Sequence, residues 1–308
     1  GIGQQPLFYN TTGCYNTALG SQALYSNKVG CYNVSMGLQS LYYNTSGHHN
    51  TAIGYNALKD NTTGCHNAAI GNGALYKNTT GSNNAAIGPY ALGDNTGGSY
   101  NNGMGHSALK SNKTGAYNVG IGAYAVYGNT TGHYNVGIGN QALKCNIAGY
   151  WNNAIGMYAL YNSTSGCSNN AMGYSALCDN TTGTDNNAIG TNALAGNTTG
   201  YDNQAIGNGA LICNTEGGNN VGIGRNAGHY NTTGNHNTAV GYYALRYSLS
   251  GDNNFAAGQC SLYNNWGGCL NTAIGQKALL SNTTGSCLLY TSDAADDLLC
   301  VDLGGRRI

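Results

Sequence analysis

The sequence predicts an all-β protein, a parallel β-solenoid of about seventeen coils with 17 residues each. Two observations predict this fold. A glycine recurs at every seventeenth residue from Gly3 to Gly275 without insertion or deletion, and a fixed short period is the signature of stacked repeats. Seventeen residues are too few for two packed helices with their turns, but they suffice for one coil of parallel strands. A coil with a short helical or 3₁₀ segment at its Ala-Leu step is the alternative.

Residues 50–66, Asn-Thr-Ala-Ile-Gly-Tyr-Asn-Ala-Leu-Lys-Asp-Asn-Thr-Thr-Gly-Cys-His, are the reference copy, and each column of equivalent positions is named by its residue in that copy. The Gly54 and Gly64 columns are glycine in all 17 copies. Each therefore marks a backbone corner that needs a positive φ or a close approach. The predicted corner glycines include Gly54, Gly64, Gly71, Gly81, Gly122 and Gly132.

Asparagine fills two further columns. The Asn50 column is asparagine in all 16 copies, and the Asn61 column in 15 of 17, with Ser163 and Ser248 as substitutes. An amide carries two donors and an acceptor, so that a column of amides can bond both its own turn and the next coil. The predicted structural ladder of the Asn50 column contains Asn16, Asn33, Asn50, Asn67, Asn84, Asn118, Asn135, Asn186, Asn237 and Asn271.

The Asn61 column is open to a second interpretation, because many of its members lie in Asn-x-Ser/Thr sequons. In an extracellular eukaryotic protein these would be glycosylation acceptors, whereas in a prokaryote or a virus the pattern is incidental. The candidate acceptors are Asn10, Asn61, Asn78, Asn129, Asn180, Asn197, Asn231 and Asn282.

Three columns are apolar. The Ile53 column is large and aliphatic in 16 of 17 copies and the Leu58 column is leucine in 15 of 17, so we expect both to form buried spines. The Ala52 column is alanine or glycine in 15 of 16 copies, which indicates that another surface approaches it closely. That surface is either the far wall of the same coil or a neighbouring chain. The thin core favours a neighbouring chain, and therefore a homo-oligomer.

Composition argues against most kinds of active site. Charged residues make up 7% of the chain, and 11 basic and 11 acidic side chains cancel, which argues against nucleic acid as a partner. There is no run of 18 apolar residues, so we expect no membrane insertion in this chain. Histidines and carboxylates recur at no fixed offset that would suit a metal or a hydrolytic pair. We therefore expect no catalysis, no metal and no cofactor.

Two residue types remain as functional candidates. Cys14 and Cys31 lie in adjacent coils, at a separation compatible with a disulfide, while the other cysteines are expected to be free thiols on the solvent side. Tyrosine is enriched, with 25 copies against two Phe and two Trp, and its rings suit either a glycan-binding or protein-binding face or a wet strand. The candidate face contains Tyr25, Tyr42, Tyr76, Tyr127, Tyr161 and Tyr263.

The period stops after Ser286, and the composition changes over residues 287–308. One choice of codons for this stretch resembles the adapter ends of short-read sequencing libraries. We therefore expect residues 287–308 to be a translated adapter from an environmental assembly, and residues 1–286 to be a solenoid fragment cut at both ends. A short natural capping tail is the alternative.

The step Asn-Thr-Ala-Ile-Gly-x-x-Ala-Leu resembles the head repeats of YadA-like trimeric autotransporter adhesins. It also resembles repeats of phage tail-fibre and bacterial surface proteins that end in an intramolecular chaperone of the endosialidase type. The resemblance covers residues 1–286 and departs in the 17-residue period and the Asn-Thr-Thr-Gly corner. It implies a trimeric parallel β-roll that is extracellular, on the cell surface or on a virion, and acts as a shaft or an adhesive surface.

These observations favour a structural or adhesive fibre segment without catalysis, which contacts a host-surface glycan or protein receptor. An ice-binding solenoid is one alternative, because Thr62-Thr63 and equivalent pairs recur along the chain. A glycosylated extracellular filament is another. A pectin-lyase-like enzyme is more distant, because such enzymes use longer, irregular coils with carboxylates.

Overall fold

The computed structural model describes residues 1–291 and is a parallel β-solenoid with a period of 17 residues, as the sequence predicts. The chain divides into two compact units, Gly1–Cys167 and Ser168–Ile308, and the second is described here to residue 291. Most of the predicted adapter tail, residues 292–308, lies outside the described residues. Secondary structure in residues 1–291 consists of strands and turns, without a helix.

Each coil from β1 to β16 contains one three-residue strand immediately before the Gly54-column glycine. The first unit holds β1 (Thr17–Leu19), β2 (Val34–Met36), β3 (Thr51–Ile53), β4 (Ala68–Ile70), β5 (Ala85–Ile87), β6 (Asn102–Met104), β7 (Val119–Ile121), β8 (Val136–Ile138) and β9 (Asn153–Ile155). The second holds β10 (Asn170–Met172), β11 (Asn187–Ile189), β12 (Gln204–Ile206), β13 (Val221–Ile223), β14 (Thr238–Val240), β15 (Phe255–Ala257), β16 (Thr272–Ile274) and β17 (Leu289–Thr291). Strand β17, inside the predicted adapter tail, pairs with β16 in the common register.

Hydrogen bonds between coils extend well beyond the strands. Within each unit every strand pairs in parallel with the next, and each residue faces the residue 17 positions later, as Ala52 faces Ala69. In the turn that follows, the N–H of Leu58 donates to the carbonyl of Ala74 at 2.9 Å. The N–H of Thr62 donates to Thr79 at 3.0 Å. Most of each coil therefore bonds to its neighbours rather than to itself.

The turn after the strand explains why no helix forms. Asn56 and Leu58 have positive φ angles of 56° and 49°, and their equivalents repeat this pattern along the chain. A positive φ every second residue points N–H groups alternately toward the preceding and the following coil, whereas a helix needs consecutive negative φ values. The alternative of a helical or 3₁₀ segment at the Ala-Leu step is therefore wrong for the described residues.

The interior is narrower than the sequence suggested. Ala52, Ala57 and Leu58 are fully buried, whereas Ile53 is 37% exposed. Successive residues of a strand point to opposite faces, and only the middle residue of the three points inward. The Leu58 column is a buried spine as predicted, but the expectation that the Ile53 column is buried is wrong, because that column lies on the outer face of the sheet.

The Ala52 column faces the far wall of its own coil. Its one exception, Ser35, donates from its hydroxyl to the carbonyl of Ser40 at 2.9 Å within the same coil. Where the column has glycine, a Cβ built on Gly103 would lie 3.2 Å from the carbonyl oxygen of Ala108, again in the same coil. The inference that a neighbouring chain limits the size of this column is therefore wrong. The small side chains are needed because the two walls of one coil nearly touch.

Where another residue replaces leucine in the Leu58 column, a residue of an adjacent coil fits the changed side-chain volume. Val126 replaces leucine in the Leu58 column, and a Cβ built on Gly137 in the next coil would lie 2.5 Å from the Val126 Cγ2. Gly228 also replaces leucine, and a Cβ there would lie 2.6 Å from Cδ2 of Leu211 in the preceding coil. The interior is thus packed pairwise between neighbouring coils.

The two glycine columns are required for different reasons. Gly54 has a φ of 133°, a conformation that side-chain-bearing residues rarely adopt. Gly64 does not have a positive φ, but a Cβ on it would overlap the carbonyl oxygen of Gly81 and lie 2.5 Å from Oδ1 of Asn61. The first column supplies conformational freedom, and the second permits close approach.

Both asparagine columns form hydrogen-bonded ladders inside each unit. The backbone N–H of Asn50 donates to Oδ1 of Asn33 at 2.9 Å, while its Nδ2 donates to the carbonyl of Gly64 at 2.8 Å. Nδ2 of Asn61 donates to Oδ1 of Asn44 at 2.8 Å and to the carbonyl of Gly64 at 3.0 Å. Asn50 and Asn61 are fully buried. Their amides thus satisfy backbone groups that water cannot reach.

The Asn61 ladder breaks where serine replaces asparagine. Ser163 and Ser248 are buried, and their hydroxyls have no hydrogen-bond partner. In the preceding coils Oδ1 of Asn146 and Oδ1 of Asn231 are left without a donor. Buried polar atoms without partners cost about 1–3 kcal/mol each, so each break is a local weak point.

We expect Asn135→Ala to destabilise the protein by roughly 2–4 kcal/mol, because it removes the Oδ1 acceptor of the Asn152 backbone N–H and the shorter of the two amide hydrogen bonds to the carbonyl of Gly149. Tyr127→Ala removes a half-buried side chain and should cost only about 1 kcal/mol. Urea denaturation followed by circular dichroism measures both. Equal small losses would show that the amide ladder contributes little.

We expect Ser248→Asn to stabilise the protein by about 1–2 kcal/mol, because the new amide would donate to Oδ1 of Asn231 and complete the ladder. Thr233→Asn, an exposed substitution in the same unit, is the control and should leave the melting temperature unchanged. Thermal denaturation is the measurement. A lower melting temperature for Ser248→Asn alone would contradict this account of the break.

Candidate functional surface

The outer face of the sheet is apolar and uncovered. Ile53, Ile70 and Ile87 are 37%, 40% and 40% exposed, and the equivalent side chains continue this column in both units. They stand beside the Thr51 column, whose side chains point to the same side. Parallel sheets are normally covered on both faces, so this apolar face is unusual for an isolated chain.

This face also lacks charge. Across strands β1 to β16, the two outward positions of each strand contain aliphatic residues, methionine, threonine, asparagine, glutamine and one phenylalanine, Phe255. Side-chain amides in the Thr51 column form hydrogen bonds along it, since Nδ2 of Asn187 donates to Oε1 of Gln204 at 2.9 Å. An uncharged apolar ladder with a fixed spacing is suited to contact with another apolar surface.

The tyrosines predicted to form a binding face do not form one continuous surface. Tyr25 and Tyr42 stack with their ring centroids 4.9 Å apart. In the next coils Lys59 and later Gly93 interrupt the column. The other four predicted tyrosines each lie next to a lysine or an arginine side chain. The ring centroid of Tyr76 lies 5.6 Å from Nζ of Lys59, that of Tyr127 5.8 Å from Nζ of Lys110, and that of Tyr161 5.2 Å from Nζ of Lys144. The hydroxyl of Tyr263 accepts a hydrogen bond from the guanidinium of Arg246 at 2.7 Å.

A second aromatic column was missed by the sequence analysis. It occupies the His66 column, where Tyr32, His49 and His66 stack with centroid distances of 4.9 and 4.8 Å. Tyr100, Tyr117 and Tyr134 form another stack in the same unit. The signal was the recurrence of aromatic residues just before the Asn50 column. These rings are exposed, and each residue has a positive φ between 56° and 60°.

The thiols of Cys14 and Cys31 lie beside each other at the solvent side of the first unit. Their Sγ atoms are 3.0 Å apart, and both thiols are free. The hydrogen bond with Cys14 lowers the pKa of the Cys31 thiol, and the same contact raises the pKa of Cys14. Cys31 is therefore the member of the pair that becomes a thiolate first as the pH rises.

Neither a metal site nor a membrane-spanning helix is found in the described residues. In residues 1–291 no group of three His, Cys, Asp or Glu side chains is close enough to hold a metal ion. Over the same residues, no helix has the length and hydropathy needed to cross a lipid bilayer.

The sequon nitrogens of Asn61, Asn78 and Asn129 are buried and donate two hydrogen bonds each. A glycan on such an amide would require its coil to open.

The remaining candidate acceptors of the Asn61 column have the same geometry. Nδ2 donates to the carbonyl of the Gly64-column glycine three residues later in each of them. This holds for Asn10, Asn180, Asn197, Asn231 and Asn282. Asn10 and Asn282 are half-buried, and the other three are buried.

We expect mild oxidation with diamide to join Cys14 and Cys31, because the two thiols are already in contact and Cys31 is the more acidic. Peptide mapping without reduction should find this link, with loss of the two thiol hydrogens. It should form at a lower pH than an ordinary thiol needs. Cys65, whose column neighbours are His48 and Ser82, is the internal control and should stay reduced. An unlinked pair, or equal linking of Cys65, would contradict the expectation.

Comparisons of this sequence and structure with protein-family models, with curated proteins and with solved structures gave no match. The features available are the apolar outer face, the aromatic columns and the buried amide ladders.

Proposed function

We propose that the chain is a segment of a structural and adhesive fibre that associates with copies of itself through the apolar outer face. The observation that carries this proposal is the exposed Ile53 column on an uncharged parallel sheet. An exposed apolar column of this regularity needs a partner to remove it from water. The fibre acts without catalysis, outside the cell or on a virion, as the resemblance to adhesin and tail-fibre repeats implies.

A second copy of the chain is the favoured partner because its column has the same spacing. Coils repeat at the separation of neighbouring parallel strands, about 4.8 Å. A copy aligned along the same direction therefore meets the Ile53 column with side chains at matching intervals. Absence of charge on the face removes the repulsion that identical charged surfaces would suffer. The resemblance favours a trimer among the possible assemblies.

The alternatives have weaker support. For an ice-binding face the threonine hydroxyls would have to point to solvent in a regular array. In the Thr62 column, however, Oγ1 of Thr62 donates to the carbonyl of Thr79 at 3.0 Å, and Oγ1 of Thr79 to that of Thr96 at 3.0 Å. The Thr63 column is exposed but is interrupted by Gly97, Ala148 and Glu216, so it forms no regular array. For a glycosylated filament the sequon nitrogens would have to be accessible, whereas most of them are buried in the Asn61 ladder. Both observations favour the fibre proposal.

We expect the chain to sediment as a trimer and the double variant Ile70→Asp, Ile87→Asp to sediment as a monomer. Two carboxylates placed at the centre of the apolar face would be desolvated and would repel their copies. Sedimentation velocity is the measurement. Both isoleucines are about 40% exposed, so that the fold should tolerate the change.

The matched control is Tyr100→Asp with Tyr117→Asp, which places the same charges on the aromatic stack of the same unit. These rings are 48% and 46% exposed, and the control should keep the oligomer. A monomeric unsubstituted chain, or dissociation by the control alone, would refute association through the apolar face.

A further inference from the structure

A notch interrupts the turn surface in the first unit. Two columns that carry side chains in most coils have glycine there, Gly73 in the Asn56 column and Gly93 in the Lys59 column. The resulting pocket has a volume of about 330 Å³. Small-molecule sites have volumes of roughly 300–1,000 Å³, so the notch is large enough for a single small ring. It lies within four consecutive coils.

We propose that this notch binds a neutral pyranose unit of a saccharide. The inference deepens the adhesive part of the proposed function and rests on it. The side chains available to contact the ligand are those of Tyr55, Asn56, Tyr76, Tyr90, Asp94 and Lys110, all of which line the pocket.

The tyrosines provide flat walls for the apolar face of a sugar ring. Tyr55 and Tyr90 are 51% and 44% exposed, and Tyr76 is half-buried between them along the coils. A tyrosine ring offers a large rigid apolar surface together with a hydroxyl that can hydrogen-bond. This combination suits a pyranose, which has C–H groups on its faces and hydroxyls around its edge.

The notch is built into the backbone rather than left by mobile side chains. A Cβ on Gly73 would lie 2.9 Å from Cδ1 of Tyr90, so that only glycine allows the Tyr90 ring to lie against the turn. The N–H of Gly73 donates to the carbonyl of Tyr55 at 2.9 Å. The carbonyl of Gly93 accepts from the N–H of Lys77 at 3.0 Å. The floor of the pocket is therefore fixed before a ligand arrives.

The notch also contains an acceptor that lacks a donor. Oδ1 of Asn56 is buried and has no hydrogen-bond partner within the chain. A buried acceptor without a donor is costly, and rotation of the Asn56 side chain into the notch would let a ligand hydroxyl donate to it and relieve that cost. Sugar hydroxyls both donate and accept, so the same ligand can donate to Asn56 and interact with Asp94 and Lys110.

The charges around the notch favour a ligand without net charge. Nζ of Lys77 is 2.7 Å from Oδ1 of Asp94, so the carboxylate already has its cation. Nζ of Lys110 lies 6.0 Å from the centroid of Tyr90 and occupies the position that a cationic ligand would need. Because Asp94 and Lys110 line the same notch, a ligand of either sign meets a like charge there as well as an opposite one. A neutral polyhydroxylated ring avoids both conflicts.

The test is saturation-transfer difference NMR on the full chain with methyl α-mannoside, methyl β-galactoside and N-acetylglucosamine. Choline and N-acetylneuraminic acid are the charged probes, and titration gives the dissociation constant of any binder. We expect at least one neutral sugar to bind and the charged probes not to bind. Tyr90→Ala, which removes one wall, should raise the dissociation constant about tenfold or more.

Gly93→Tyr is the second variant and fills the notch. Tyrosine already occupies this column at Tyr76 and Tyr127, so the coil should still form, as circular dichroism would check. It should abolish binding. The matched control is Tyr124→Ala, in the same column as Tyr90 and with a φ of 57° against 56°, but outside the pocket. It should leave the dissociation constant unchanged.

Three results would overturn the assignment of this notch. They are binding of none of the neutral sugars, binding of charged probes only, and sugar binding that survives Gly93→Tyr. Sedimentation of the same samples separates this inference from the proposed fibre. A chain that forms the trimer but binds no sugar refutes the notch alone, whereas a monomer that binds sugar through the notch refutes the self-association.

Discussion

The buried amide ladders are the constraint on which the rest of each unit depends. A coil of 17 residues has a small interior and many backbone groups at its corners that cannot reach water. Asn50 and Asn61 bond to these groups and to the equivalent amide in the adjacent coil. Because the bonds between equivalent asparagines span one period of 17 residues, an insertion of a single residue would misalign both ladders at once. The strict period of the sequence is therefore a consequence of hydrogen bonding in the interior.

The narrow interior in turn determines what lies outside. The walls of a coil approach so closely that only alanine, glycine or a paired serine fits between the strand and the opposite turn, as Ser35 and Ser40 show. Leucine is the one large side chain admitted, at the corner beyond the strand. The larger aliphatic residues are thus displaced to the outer face. The same restriction that thins the core creates the apolar surface through which a copy of the chain can be contacted.

Sequence reasoning accounts for the period, the parallel sheet and both ladders, because glycine and asparagine have few alternative uses at invariant positions. It was wrong about which face of the strand is buried. Because side chains alternate along a strand, the sequence shows only that Ala52 and Ile53 point in opposite directions. The larger apolar side chain of Ile53 then made it the expected core residue. The positive φ of Leu58 was also invisible, because leucine carries no signature of that conformation. The notch was readable in principle, since Gly73 and Gly93 are exceptions in their columns, but its walls come from three different coils.

The matched exceptions have a consequence for how such a chain can change over time. Val126 fits because Gly137 follows it, and Gly228 fits because Leu211 precedes it. A duplication or loss of whole copies would preserve the alignment of every amide, yet it could separate such partners and leave a void or an overlap. The smallest freely exchangeable module at these places is therefore a pair of neighbouring coils, and recombination breakpoints should avoid the junctions inside them.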